Sequence, residues 1–196
     1  MNIVPMLENI VRCTALVNPD LPELLQPSLT PAQIYQIAPI PYKLPREVLL
    51  LYHWHNSTRQ DPDQPEQPLF YYHEFMPIQA AYEVYQWRMQ FNQEEQFEVF
   101  DPHLFPVFTF QGEYYATWCT DVEQDQSPIF FDYHGCGQVY DSLELMVTAI
   151  AECYELGAYD LEGDCYESNE TAVARIKAKW NMCHHNADGT TLRDHP

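Results

Sequence analysis

The chain has 196 residues, with 9 Lys+Arg against 29 Asp+Glu and a formal net charge of −20. A surface this negative repels nucleic-acid phosphate and anionic lipid, which excludes a sequence-independent nucleic-acid binder and argues against a membrane-surface protein. Hydrophobic residues at 46% and aromatic residues at 14% are too many for a disordered chain, and at this length about 70% of the unfolded surface can be buried in one domain.

The first apolar residues, Ile3 and Val4, follow no Lys or Arg, and Glu8 soon interrupts them. They do not read as a signal peptide, and no apolar run approaches the ~18 residues of a membrane span, so a cytoplasmic protein is expected. The six cysteines, Cys13, Cys119, Cys136, Cys153, Cys165 and Cys183, are dispersed without a C-x-x-C pair. In that compartment they are expected as reduced thiols that pack like small apolar residues.

In chain order, Ile3, Leu7, Ile10, Val11, Thr14 and Val17 predict a helix over 3–17, followed by a proline-rich connector to Pro27. Thr30-Pro31-Ala32-Gln33 reads as a capping box opening a short helix that stops before Pro39. A further helix starts at Leu44-Pro45-Arg46-Glu47 and ends near Asn56, and the polar, proline-bearing 57–68 is a loop. Residues 69–75 (LFYYHEF) are strand-like, and Ile78, Ala81, Tyr85 and Met89 form the stripe of a helix over 78–91. Two aromatic runs, 104–110 and 113–118, flank Gln111-Gly112, the pattern of a hairpin. Another strand follows over 128–133, and after a turn containing His134 and Cys136 a last one over 138–140. Asp141 or Ser142 then caps a helix with Leu143, Met146, Val147, Ile150, Ala151 and Tyr154 on one face, which Gly157 stops. After an acidic connector over 160–167, Ser168 is the expected cap of a final helix with Val173, Ile176 and Trp180 on its apolar face; 184–196 reads as a frayed tail. Runs of strands beside runs of helices predict an α+β fold with a mainly antiparallel sheet.

The sharp chemical motifs are missing. Six glycines spell neither phosphate-binding loop, and Gly135-Cys136-Gly137 leads into a strand rather than into a helix N-terminus. No cofactor is expected. His53 and His55, two residues apart, could ligate a metal only if other segments supplied further ligands, whereas an imidazole at a helix C-terminus is favoured by the dipole alone. Cys136 beside His134 could serve as a thiol nucleophile, but turn chemistry explains the glycines around it more simply. Asp121, Glu123 and Asp125 alternate along a loop and read as solvated acids. So large an acidic excess suggests a surface that steers a basic partner. Tyr and Trp join apolar area to a hydrogen-bonding tip, so an exposed aromatic near those acids would complete a protein-binding surface; Trp118 is the first candidate and Trp54 the second.

Several segments, in order, resemble the SUKH superfamily, which includes the yeast cell-wall-assembly regulator of the SMI/KNR type and many bacterial immunity proteins. Leu44-Pro45-Arg46-Glu47-Val48-Leu49-Leu50-Leu51-Tyr52 is similar to the family's Leu-Pro helix, with His55-Asn56-Ser57 where the family usually has Asn-Gly. The aromatic segment 69–77 with its helix, Leu104-Phe105-Pro106-Val107-Phe108, and 128–133 followed by Asp141-Ser142-Leu143-Glu144 continue the resemblance over residues 30–157. It implies an α+β domain over 1–159, a sheet of five to six strands flanked by helices, with a helical extension and tail over 160–196. It also implies a non-enzymatic protein-binding module; with the acidic excess, the expectation is an immunity protein or regulatory adaptor that engages another, basic protein such as a toxin. The alternatives are a thiol- or metal-dependent hydrolase using Cys136/His134 or His53/His55, and a structural subunit packing its last helix on a neighbour.

Overall fold

The computed structural model describes residues 2–59, 69–70, 73–96, 99–110, 112–132, 136–160 and 167–180. Four helices come first: α1 (Val4–Thr14), α2 (Leu21–Leu24), α3 (Pro31–Ile37) and α4 (Arg46–Trp54). The predicted stripe buries Ile3, Leu7, Ile10 and Val11, but α1 stops at Thr14 and leaves Val17 half exposed. The proline-rich connector contains α2, with Pro22 in its first turn, where no amide is required. The capping box is formed reciprocally: Thr30 Oγ1 accepts the Gln33 amide while the Gln33 side chain accepts the Thr30 amide.

Of the predicted strand over 69–75, the described residues show β1 (Glu74–Phe75) and an isolated bridge between Phe70 and His73, whose amide donates to the Phe70 carbonyl; residues 71 and 72 lie outside them. Next come α5 (Ile78–Glu95), β2 (Leu104–Phe110), β3 (Glu113–Trp118), β4 (Ile129–Asp132) and β5 (Cys136–Tyr140). Gln96, with φ of 59°, ends α5. The five strands form one antiparallel sheet in sequence order, and between β2 and β3 Gly112 takes φ of +90°. Pro106 pairs with Ala116 and Phe108 with Tyr115, so Val107 is the extra residue of a bulge. Pro106 is tolerated because β1 reaches only Phe108 and Thr109, leaving β2 an edge at that level.

The register sorts side chains onto two faces. Phe105, Phe108, Ile129 and Tyr140 share one core with Leu7 of α1, Val48 and Leu51 of α4, and Met146, Val147 and Ile150 of α6 (Leu143–Glu155). Ser142 caps α6 by accepting the Leu145 amide, and Gly157 terminates it at φ of +62°. Leu104, Ala116 and Phe130 lie on the opposite face as a separate small cluster against which Trp118 packs.

The acidic connector is bracketed by a further pair of strands, β6 (Tyr159–Asp160) and β7 (Glu167–Ser168), so the expected boundary at 159/160 falls inside β6. Ser168 belongs to β7 and does not cap α7 (Glu170–Trp180); Asn169 does, its Oδ1 accepting the Ala172 amide at 3.1 Å. The apolar face of α7 turns inward: Ile176 is buried, and Glu152 of α6 holds Lys179 Nζ at 2.7 Å and the Trp180 indole. The fold is thus α+β, with an antiparallel five-stranded sheet, seven helices among the described residues and an extra helix at the C-terminal end. Among the described residues no helix is long and apolar enough to cross a membrane. Cys13, Cys119, Cys136 and Cys153 are free thiols, whereas Cys165, Cys183 and the tail over 184–196 lie outside the described residues.

Candidate functional site

Trp118 ends β3 on the face away from the main core, and its half-buried ring belongs to an aromatic ladder. Tyr42 stacks on His103 with centroids 4.1 Å apart, His103 on Trp118 at 4.9 Å and 11° between planes, and Trp118 meets Phe130 at 5.8 Å. Backbone contacts fix the middle rung. His103 Nδ1 lies 2.7 Å from the Cys119 carbonyl, the Cys119 amide donates to the His103 carbonyl, and Asp101 accepts the His103 amide. The ladder is therefore anchored at His103 by the fold itself.

The loop over 120–126 continues directly from Trp118. Asp121, Val122, Glu123 and Asp125 are exposed, Val122 at 67%. Its backbone is nonetheless pinned to the start of α4. The Lys43 amide donates to the Thr120 carbonyl at 2.7 Å, the Arg46 amide to Gln124 at 2.8 Å and the Glu47 amide to Asp125 at 3.3 Å. The first amides of a helix have no partner within it, so the loop's carbonyls satisfy donors that α4 would otherwise expose. The positive end of the α4 dipole also favours carboxylates there. Arg46 adds an ion pair to Asp125 at 3.6 Å, exposed on both sides and so worth little by itself.

Beneath the loop sits Glu47, a fully buried carboxylate that the sequence reading missed. Oε1 accepts the Ser127 amide at 2.9 Å and Oε2 the Glu144 amide at 3.0 Å, so one side chain ties α4, the end of the loop and the first turn of α6 together. Burial pushes its pKa up to about 7, against the lowering effect of those amides. Arg88 of α5 is a second missed charge. It is buried, 2.7 Å from Asp132, with its guanidinium over the rings of Tyr114 and Phe100. Both had the same signal in the sequence: Glu47 stands beside Val48, Leu51 and Tyr52, and Arg88 falls in register with Ala81 and Tyr85, each a charge inside an apolar stripe.

The other expected residues go elsewhere. Trp54 does not join an exposed surface: it is buried at the far end of α4, about 12 Å along the helix from the loop contact at Arg46. Its indole N–H donates to Glu8 at 2.6 Å, clamping α4 to α1. His53 and His55 each place Nδ1 against a backbone carbonyl, Leu29 at 3.2 Å and Gln26 at 2.7 Å, and so fasten the 26–29 segment to α4. Among the described residues no three His, Cys, Asp or Glu side chains converge on a point that could hold a metal ion. His134 lies outside the described residues. The Cys136 thiol is pushed up to about 12 by desolvation and then by Asp132, the reverse of what a thiol nucleophile requires.

The sequence matches no family model and no curated protein.

Proposed function

We propose that the chain is a cytoplasmic, non-enzymatic protein-binding module of the SUKH type, an immunity protein or regulatory adaptor, that recognises a basic protein. The observation that carries this reading is the pinned acidic loop beside the aromatic ladder. Asp121, Glu123 and Asp125 flank an exposed Val122 on a backbone already hydrogen-bonded into place, one step from the stacked rings of Trp118, His103 and Tyr42. A rigid surface loses little conformational entropy on binding, and carboxylates around an apolar tip combine steering with a small desolvated contact.

One local feature supports the family resemblance. Ser57 takes φ of +77°, a conformation glycine adopts at little cost, at the position where the SUKH pattern has glycine. Its hydroxyl donates to the buried Phe75 carbonyl, and the neighbouring Asn56 accepts the Ile78 amide at the start of α5 at 2.9 Å. The Asn-Ser pair thus anchors the chain between α4 and α5, with a hydroxymethyl side chain where the family's glycine has none.

The test begins with affinity capture from native cytosol by the wild-type chain and by an Asp121→Lys/Glu123→Lys/Asp125→Lys variant, followed by stopped-flow kinetics with the captured partner. The triple reversal is expected to slow association about tenfold at low salt and to flatten its salt dependence. Trp118→Ala is expected to act instead on dissociation, by about tenfold or more. A partner whose association rate ignores the reversal rejects this surface.

A further inference from the structure

Between the 39–41 link and α5 runs an open groove of 710 Å³ that neither the ladder nor the loop occupies. We infer that this groove is a binding site for an extended, proline-containing segment of a partner protein that ends in a basic residue. The inference rests on the protein-binding reading and adds to it the chemical class of the partner's segment.

One wall is rigid and apolar. Pro39 and Pro41 are exposed along it, facing the half-buried Tyr82 and Met89 of α5. The floor is fixed too, since the Tyr85 hydroxyl donates to the Pro102 carbonyl at 3.0 Å and its ring packs on Phe105. A groove lined by tyrosine and proline rings suits the flat pyrrolidines of a polyproline II helix, whose conformation is preformed and costs little to order. Such a ligand makes no internal hydrogen bonds and presents its carbonyls outward. Gln86, Gln90 and Gln93, at helical spacing along the groove, place amide donors where those carbonyls would pass. From Tyr82 to Glu94, both lining the groove on α5, the helix runs about 18 Å, which matches about six residues of polyproline II at about 3.1 Å each.

Charge sets the direction and the terminal residue. The last turn of α5 carries Glu94 and Glu95 and no basic residue, which puts two carboxylates at the negative end of the helix dipole, the unfavourable end for them. Glu94 lines the groove there, accepting the Gln90 amide at 2.7 Å. A guanidinium or ammonium bound at that end relieves the unfavourable placement of these carboxylates.

The test is a calorimetric titration of the whole chain, in about 0.15 M salt, with an acetylated and amidated peptide of six prolines followed by two arginines. The comparators are a peptide of six alternating Gly and Ser residues before the same arginines, and a peptide of eight prolines. The hexaproline–diarginine peptide is expected to bind about tenfold more tightly than either comparator. Tyr82→Ala and Glu94→Lys are each expected to weaken it about fivefold or more with an unchanged far-UV spectrum; the Glu94 change should leave the all-proline peptide unaffected. Equal binding of the Gly-Ser peptide overturns the proposal in favour of undirected charge. Absent peptide binding overturns it too, and if self-association is then lost in Tyr82→Ala, the groove's occupant is a second copy of the chain. The loop reversal at 121, 123 and 125 is expected to leave peptide affinity within about twofold. Failure of the groove and failure of the acidic-loop surface are therefore separate results.

Discussion

At its C-terminal end α4 carries a tryptophan and two histidines, and all three are committed to the fold: Trp54 to Glu8, His53 to the Leu29 carbonyl and His55 to the Gln26 carbonyl. At its N-terminal end Trp118 and the carboxylates of the 120–126 loop gather near Lys43 and Arg46. There His103 is fixed by its own Nδ1 contact to the Cys119 carbonyl, but backbone bonds hold the loop, Trp118 stays half-buried and the acids stay exposed. Residue type does not distinguish a clamp from a surface. The difference lies in which atoms meet the helix's unsatisfied ends: at the C-terminal end side chains reach neighbouring carbonyls, while at the N-terminal end loop carbonyls take the helix amides and release the acids to solvent.

The sharpest way to break this contrast is to truncate the two tryptophans. Trp54→Ala empties a buried site and is expected to cost about 4 kcal/mol, whereas half-buried Trp118→Ala is expected to cost about 2 kcal/mol or less. Urea unfolding measures both. Equal losses would mean that the two ends are structurally alike.

The pH dependence of stability probes the buried carboxylate under the loop. Glu47 has an ordinary value of 4.5 and is raised to about 7 in the folded chain. Between these values the folded state holds a proton that the unfolded state has lost. Its contribution is therefore fully present below pH 4.5 and is lost as pH rises through 7. The stability of the wild type relative to Glu47→Gln is expected to fall steadily as pH is raised from 4.5 to 8. Taking the difference between the two proteins removes the background from the other acids, and a difference that does not change with pH would show that the folded carboxyl titrates as an exposed one does.

The smallest effect is expected at the loop itself. The triple reversal at Asp121, Glu123 and Asp125 should change stability by less than about 0.5 kcal/mol, because these side chains are exposed and the Arg46–Asp125 ion pair is exposed on both sides. A loss of several kcal/mol would make these acids part of the scaffold, as Trp54 is.

How far the sequence could be read depended on how local each signal was. The capping box at Thr30, the Ser142 cap, the Gly157 stop and the Gly112 hairpin all rest on neighbouring residues and are found where expected. Within the expected 69–75 strand the bridge from His73 back to Phe70 was not legible, because β propensity reports a fit to a half-buried surface and says nothing of such a contact. The short strands β6 and β7 went unread, since two residues each carry no period. In the candidate site, the acids and Trp118 were legible as types. Tyr42 and His103 were not, because they come from segments remote in sequence and meet Trp118 only through the bridge between Lys43 and Thr120 and the contacts of Cys119.

By itself the sequence determined the acidic excess, the α+β order of elements, the helix caps at Thr30 and Ser142, and Trp118 with its neighbouring acids as candidates. Tertiary structure alone decided that Trp54 is a clamp, that the last helix folds back on α6, that Glu47 and Arg88 are buried, and that the acidic loop is stiff. The reason is physical: caps and periodicities are satisfied within a few residues, whereas burial and hydrogen-bond partnership are properties of whatever distant segment arrives to complete them.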